Sequence, residues 1–348
     1  MWTRHILDYF TNNNSNICVD WYYNENSENK LQKHFLPRVV SGIRQYIPLI
    51  KGIHRKLKGQ SYDILHICSS ASFGLLRDLW LLRISKRYNV RSIVHLHFGR
   101  IPTIFQQRGW EYKLLHKVIC NASKVVVIDE TSYKVLLANG YSNIELLPNP
   151  LSPSIVALIE SNKNITRDKN KVLFVGHVVR GKGIMELIEA CKQLSNTMDN
   201  FSLKVLGLIN DDMRSIIQVA AGDNYSNWLN ICGNQTIDEV IKEMLSASVF
   251  ALPTYSEGFP NVILESMACG CPIVTTPVGA IPEMLAINST SPCGVCVEIK
   301  NTTQLKDAIQ RMLTDRAEAE RLGRAAKHRV IQEYYMDVVG ARLTNIWQ

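Results

Sequence analysis

The sequence predicts an α/β protein built from two doubly wound, Rossmann-like domains facing each other across a cleft, and three observations predict it. The chain has 348 residues, too many for one ordinary core and suited to two domains of roughly 150 residues. Short apolar runs alternate with helical stretches along its whole length, the pattern of parallel α/β layers. That pattern stops at Pro148-Asn149-Pro150, crosses a polar stretch from Ser161 to Asn170, and restarts. The expected division is 1–150, 151–330, and a C-terminal helix, 331–348, packing back on the first domain.

In the first half, Met1 to Phe10 reads as part of a helix. Strands follow near Ile17 to Trp21, Asp63 to Cys68, Ser92 to Phe98, Lys124 to Ile128 and Ile144 to Leu147. Helices are expected between them at 31–58, 71–88, 103–121 and 131–139. In the second half the strands are Lys171 to Val175, Leu203 to Leu206, Leu229 to Ile231, Val249 to Leu252, Ile273 to Thr275 and Val295 to Val297. Helices are expected over Gly183 to Leu194, 236–246, 260–269, and from about Gln304 to the end. Uninterrupted apolar strands mean sheets covered on both faces. Open parallel sheets bind ligands beyond the carboxyl ends of their strands, so function is sought there.

Composition narrows the classes. Hydrophobic residues make up 46% and charged residues 20%, ordinary for a soluble globular chain. No apolar run approaches the length of about 18 residues that spans a bilayer, and the N-terminus does not read as a signal peptide. A cytoplasmic protein is expected, with room for peripheral attachment to the inner face of the plasma membrane. The nine cysteines sit mostly in apolar runs, where a free thiol behaves as a small hydrophobe. Cys269-Gly-Cys271 and Cys293-x-x-Cys296 lack a histidine at ligand spacing, so zinc and disulfides are set aside.

Net charge is +8, and it is divided unevenly. Residues 1–150 carry 20 Lys+Arg against 10 Asp+Glu, +10, whereas 151–348 carry 19 against 21, −2. The halves are expected to meet different partners. Within the first, Arg38, Arg44, Lys51, Arg55, Lys56 and Lys58 are interleaved with Ile43, Ile47, Ile50, Ile53 and Leu57. Such a basic amphipathic stretch, 38–58, can lie on an anionic membrane or be a solvated helix with its apolar face on the core; both readings stay open. No nucleic-acid module is recognisable, and no nucleic-acid partner is expected.

Chemistry-bearing residues gather after Val249 to Leu252. The strand runs through Pro253-Thr254-Tyr255-Ser256 into Glu257-Gly258-Phe259, and Pro260 suits a first helical turn. Free N–H groups around Asn261 to Ile263, with the helix dipole, form a seat for a diphosphate. Glu257 precedes the turn and Glu265 lies inside the helix; one can face sugar hydroxyls while the other accepts from a ribose. Two glutamates eight positions apart are weak evidence taken alone, and a capping carboxylate with a solvent-facing glutamate fits them equally.

The surrounding residues add a resemblance. Ser248 to Glu283, SVFALPTYSEGFPNVILESMACGCPIVTTPVGAIPE, resembles the donor-site run of family 4 retaining glycosyltransferases of the GT-B fold, the kind found in bacterial surface polysaccharide biosynthesis. Phe174-Val175-Gly176 with Lys182-Gly183 matches a second landmark of that family. His95-Leu96-His97 and Pro148-Asn149-Pro150 match two weaker ones. The resemblance implies a nucleotide-sugar donor, UDP-linked more often than GDP-linked, and a glycan or lipid-diphosphate acceptor. It implies Glu265 on the ribose, Glu257 on sugar hydroxyls, and backbone amides near Gly258, Phe259, Val262 and Ile263 on sugar and diphosphate. Gly176, His177, Arg180, Asn149 and Asn261 would complete the donor side. Lys182 would neutralise the departing diphosphate, and His97 would reach toward donor and acceptor. No Asp-x-Asp motif is present, and neither a catalytic metal nor a cofactor is expected.

Two departures stand out. The family places Arg after the glycine of Phe-Val-Gly, where this chain has His177; an imidazole is only partly charged near neutral pH, and Arg180 is the candidate replacement. The family also opens with a strand and a glycine-rich turn, and neither is visible here. The pattern starts about one strand late, which would leave a central sheet position unfilled. Alternative readings are a catalytically impaired nucleotide-sugar-binding or scaffold protein of the same fold, and a nucleotide-sugar epimerase.

Overall fold

The computed structural model describes residues 2–12, 17–22 and 35–348, with side chains described at 2–11, 17–22 and 46–348. The chain forms two compact units, Met1–Pro148 with Gly340–Gln348, and Asn149–Val339. The sequence places the boundaries at 150 and 330; the compact units divide after Pro148 and after Val339. Leu147 N–H donates to Val127 in the first unit, whereas Leu151 N–H donates to Tyr334 at 2.7 Å in the second. The expected helix 331–348 is interrupted at the same place, because Leu151 also bridges Tyr335.

The first unit runs α1 (Trp2–Asn12), α2 (Phe35–Gly59), β1 (Ile64–Ser69), α3 (Gly74–Arg87), β2 (Arg91–Leu96), α4 (Ile101–Gln107), α5 (Trp110–Asn121), β3 (Lys124–Val127), α6 (Glu130–Ala138) and β4 (Ile144–Leu146). Its four strands are parallel and ordered β1-β2-β3-β4. Alternation along the strands divides their side chains between two faces. Ile67, Val94, Leu96, Val125 and Val127 join apolar residues of α3, α4, α5 and α6 in one core, with Leu49, Ile50 and Ile53 of α2 packed against it. His66 and His95 point to the other face, where Trp2 of α1 lies against both rings, at 5.3 and 4.7 Å.

Two expectations fail here. Residues 17–22 form no strand; Asp20 instead bonds Lys56 of α2 and accepts from Tyr62 at 2.6 Å. Nor is there a hole at the centre of the sheet. The four strands are contiguous, and β1 is an edge among the described residues. The single helix expected at 103–121 breaks into α4 and α5 because Arg108 adopts a left-handed φ of 53° and Gly109 is extended.

The second unit runs α7 (Pro153–Ser161), β5 (Lys171–Val175), α8 (Ile184–Ser195), β6 (Ser202–Leu206), α9 (Asp211–Ala221), β7 (Leu229–Gly233), α10 (Ile237–Ser246), β8 (Val249–Leu252), α11 (Asn261–Ala268), β9 (Ile273–Thr275), α12 (Ile281–Met284), β10 (Val295–Cys296), α13 (Thr302–Thr314) and α14 (Arg316–Glu333); α15 (Met336–Trp347) begins in it, and its residues from Gly340 belong to the first unit. Side chains placed for the purpose start several helices. Asn210, Asn301 and Asp315 accept from backbone N–H groups of α9, α13 and α14, and Thr236 with Glu239 forms a capping box on α10. The six parallel strands are ordered β10-β9-β8-β5-β6-β7. The chain winds outward from β5 to β7, returns beside β5 as β8, and winds outward the other way to β10. The direction switches between β5 and β8, and a doubly wound sheet opens its crevice at such a point. Among the described residues no helix is long and apolar enough to cross a membrane.

Candidate active site at the strand switch point

The loops leaving β5 and β8 meet because of backbone contacts that tolerate little else. After β5, Gly176 N–H donates to Leu206 at 3.0 Å and Val178 N–H to Leu208 at 2.9 Å, which ties the loop to the neighbouring strand. The chain then makes one 3-10 turn, Arg180–Lys182, and enters α8 through Gly183 at φ 69°. A Cβ on Gly183 would lie 1.9 Å from the Pro253 carbonyl oxygen at the end of β8. No larger residue can occupy that position without separating the two loops. Tyr255 N–H donates to Gly181 at 2.9 Å, and the Tyr255 hydroxyl donates to Glu186 in the first turn of α8 at 2.6 Å.

This seam fixes Lys182. Its ammonium reaches Glu257 Oε1 at 2.5 Å, with the side chains 27% and 12% exposed. A lysine carries three donors, so the ammonium keeps hydrogen-bonding capacity for a second anion while Glu257 holds its position. Glu257 is held from the other side by Gly279. At φ 56°, a Cβ there would lie 2.4 Å from the Glu257 carbonyl and 2.7 Å from that of Gly258. Ala280 N–H closes the contact by donating to Gly258 at 2.9 Å.

Pro260 is the residue before α11 and not its first helical position, with φ −76° and ψ 107°. Phe259 turns its ring inward against Tyr334, 5.9 Å between centroids. The Ile263 N–H, expected to face a diphosphate, donates to Pro260 at 3.0 Å instead. The N–H groups left for a ligand at this helix start are those of Asn261 and Val262. Asn149 donates to Asn261 Oδ1 at 3.3 Å, and its own Oδ1 is buried without a hydrogen bond. Half-buried inside α11, Glu265 has its carboxyl pushed up to about 7 by burial. A carboxyl so placed gains from hydroxyl donors, which would favour its charged form.

The structure therefore gathers Gly176, Lys182, Glu257, Gly258, Asn261, Val262, Glu265 and Asn149 in the second unit, around the ends of β5 and β8 and the start of α11. His177 and Arg180 are on the same loop after β5, both exposed. His97 belongs to the first unit. It follows β2, its N–H donates to Ser69 at 2.9 Å, and its ring stacks on His95 at 3.9 Å and meets Trp2 at 5.1 Å. Burial drives the His66 imidazole down to about 3 and His95 in the same direction, so both are neutral at physiological pH.

Sequence reasoning missed Glu186, Tyr255 and Gly279. Glu186 could have been found four positions after Lys182, one helical turn into α8. Tyr255 and Gly279 are recognisable only from their partners in space. Cys269, Cys271 and Cys293 are buried free thiols, and burial pushes the Cys269 thiol up.

Residues 157–329 match the family Glycosyl transferases group 1. Over 310 residues the chain is 25% identical to an uncharacterized glycosyltransferase of Methanocaldococcus jannaschii, covering 88% of this chain and 81% of that protein. It is 26% identical over 285 residues to the capsular polysaccharide biosynthesis glycosyltransferase CapM of Staphylococcus aureus, covering 75% and 69%. In three dimensions it resembles Anabaena HepE, solved in complex with UDP, with a TM-score of 0.65 at 16% identity over 87% of this chain and 81% of HepE.

Proposed function

From the premise that this protein is a transferase of the two-domain GT-B fold carrying a group 1 glycosyltransferase domain at residues 157–329, we propose that it moves a sugar from a nucleotide-sugar to a glycan or lipid-diphosphate-linked acceptor. The carrying observation is the Lys182–Glu257 pair held at the β5/β8 switch point. A UDP-sugar is the preferred donor, in keeping with the UDP bound by HepE. An acceptor in surface polysaccharide assembly is in keeping with the name of the staphylococcal relative. The enzyme works on the cytoplasmic side, at the inner membrane face.

In this reading the diphosphate takes the N–H groups of Asn261 and Val262 and the free donors of Lys182. Glu265 accepts from the ribose hydroxyls, and Glu257 from hydroxyls of the transferred sugar. The acceptor oxygen bonds the anomeric carbon on the face from which the diphosphate departs, so configuration is retained. The bond between that carbon and the diphosphate oxygen breaks, and a leaving phosphate oxygen takes the acceptor proton. Lys182 offsets the negative charge that accumulates on the leaving group. The chemistry uses no metal, and Arg180 supports the phosphates in place of the family arginine absent at His177.

A thermal-shift series with UDP-, GDP- and ADP-sugars tests the donor, because a ligand bound only by the folded state raises its stability. UDP-sugars are expected to give the largest shift. No shift with any nucleotide would overturn the proposal. Proton NMR of the product settles the anomeric outcome.

A further inference from the structure

The outward side of the first unit's helix layer is unlike the rest of the surface. α2 and α3 run side by side in the same direction, with Arg77 over the Tyr46 ring at 5.8 Å and His54 against Tyr88 at 5.5 Å. α5 packs on α3 as well. The inner sides of these helices join one core, so their outer sides face solvent together.

Those outer sides repeat one composition at helical spacing. α2 exposes Lys51, Arg55 and Lys58; α3 exposes Trp80, Arg83 and Arg87; α5 exposes Trp110, Lys113 and Lys117. Among the described side chains of these three helices, no exposed acid opposes them. The described side chains of α2 include no Asp or Glu. The acid of α3, Asp78, is buried and held by Ser69 and Arg77. The acid of α5, Glu111, turns to Arg100 and to the Ser72 N–H at 2.7 Å. The three tryptophans exposed among the described residues, Trp21, Trp80 and Trp110, are 50%, 55% and 52% exposed and all belong to this unit. Phe73 braces Trp110 at 5.2 Å, and Arg83 lies 5.3 Å from the Trp80 ring.

Indoles favour the boundary between hydrocarbon and water, and lysines and arginines are attracted to anionic headgroups. A second copy of so basic a face would be repelled. We propose that the outer face of α2, α3 and α5 is the surface by which this enzyme sits on an anionic lipid bilayer, with Trp80 and Trp110 at headgroup level. The face is broader than the stretch 38–58: two of its three helices lie outside that stretch, and Lys56 within it is turned toward Asp20. The inference deepens the reading of a lipid-linked acceptor and rests on it for its purpose, but lipid binding can be measured without transfer.

The test is flotation of the full chain with vesicles of phosphatidylcholine alone and of equal parts phosphatidylcholine and phosphatidylglycerol. Binding is expected on the anionic vesicles, weak on the neutral ones, and falling with salt. The combined substitution Lys51→Glu, Arg55→Glu, Arg83→Glu, Arg87→Glu is expected to lower partition by about a hundredfold or more, since each cation near the surface is worth roughly a factor of five. Trp80→Ala with Trp110→Ala is expected to lower it less. An unchanged thermal midpoint and an unchanged UDP shift in both variants show that folding and the donor site are intact. Equal binding to neutral vesicles, undiminished binding by the fourfold variant, or displacement from anionic vesicles by a DNA duplex would overturn the proposal. Vesicle binding without any nucleotide-sugar shift would count against the transferase reading and leave this one standing.

Discussion

Both sheets are parallel and helix-covered, yet they are wound differently. In the first unit the strands follow one another in space in chain order, and every connection from β1 to β4 steps the same way. In the second the order reverses beside β5, and the loops after β5 and β8 meet at the switch point where a doubly wound sheet binds its ligand. Charge divides along the same line, +10 in residues 1–150 and −2 in 151–348. A reversal of winding builds a crevice that orients a few polar groups; a one-way sheet offers the broad outer side of its helices. The chemistry is accordingly assigned to the second unit and surface attachment to the first.

The largest expected effect comes from forcing the β5 and β8 loops apart at Gly183. Gly183→Val places a branched side chain where even a Cβ meets the Pro253 carbonyl at 1.9 Å, at positive φ. A loss of about 3–5 kcal/mol is expected in urea unfolding, in the range of severe core and backbone lesions. A loss below about 1 kcal/mol would show that the β5 and β8 loops separate freely. Lys182→Ala, next in size, leaves the fold in place and removes the cation at the leaving group. A fall in kcat of about a hundredfold to a thousandfold is expected, as for the loss of one well-placed transition-state donor, with a smaller change in KM. An unchanged kcat would remove Lys182 from the chemistry.

The smallest effects are of opposite sign in the two units. The carboxyl of Glu265 sits near 7 against an ordinary 4.5, so its folded form holds a proton that the unfolded chain has released. The stability it contributes is complete below about 4.5 and is lost as pH rises through about 7. His66 sits near 3 against 6.5, so its contribution is present above 6.5 and is lost as pH falls toward 3. Protection of the α11 amides from exchange, in wild type minus Glu265→Gln, is expected to weaken with rising pH after correction for the intrinsic rate. Protection of the β1 amides, in wild type minus His66→Gln, is expected to weaken with falling pH. The same sign in both differences would contradict the burial argument.

Much of this was legible in residues. Strands such as Val172-Leu173-Phe174 and Val249-Phe250-Ala251 are buried on both faces, and continuous apolar runs announce that. Glu257 and Glu265 were singled out because such sheets bind ligands beyond the carboxyl ends of their strands, and Lys182 through the resemblance. Other features were not. The break at Arg108-Gly109 depends on one left-handed residue inside a helical pattern. Residues 17–22 read as a strand by composition, yet Asp20 is held by Lys56 and Tyr62, partners 36 and 42 positions away. The Ile263 N–H looked free until Pro260 proved to be its acceptor. The basic face needed the packing of α2, α3 and α5 to be seen as one surface, since its parts are spread from Lys51 to Lys117.

A nucleoside diphosphate is expected to bind at the β5/β8 switch point. Amide hydrogen exchange with and without UDP tests it most directly. Protection is predicted in peptides covering 176–183 and 253–265, and it is predicted to disappear in Lys182→Ala combined with Glu265→Gln. Protection confined to other segments, or persisting undiminished in that double variant, would contradict the account.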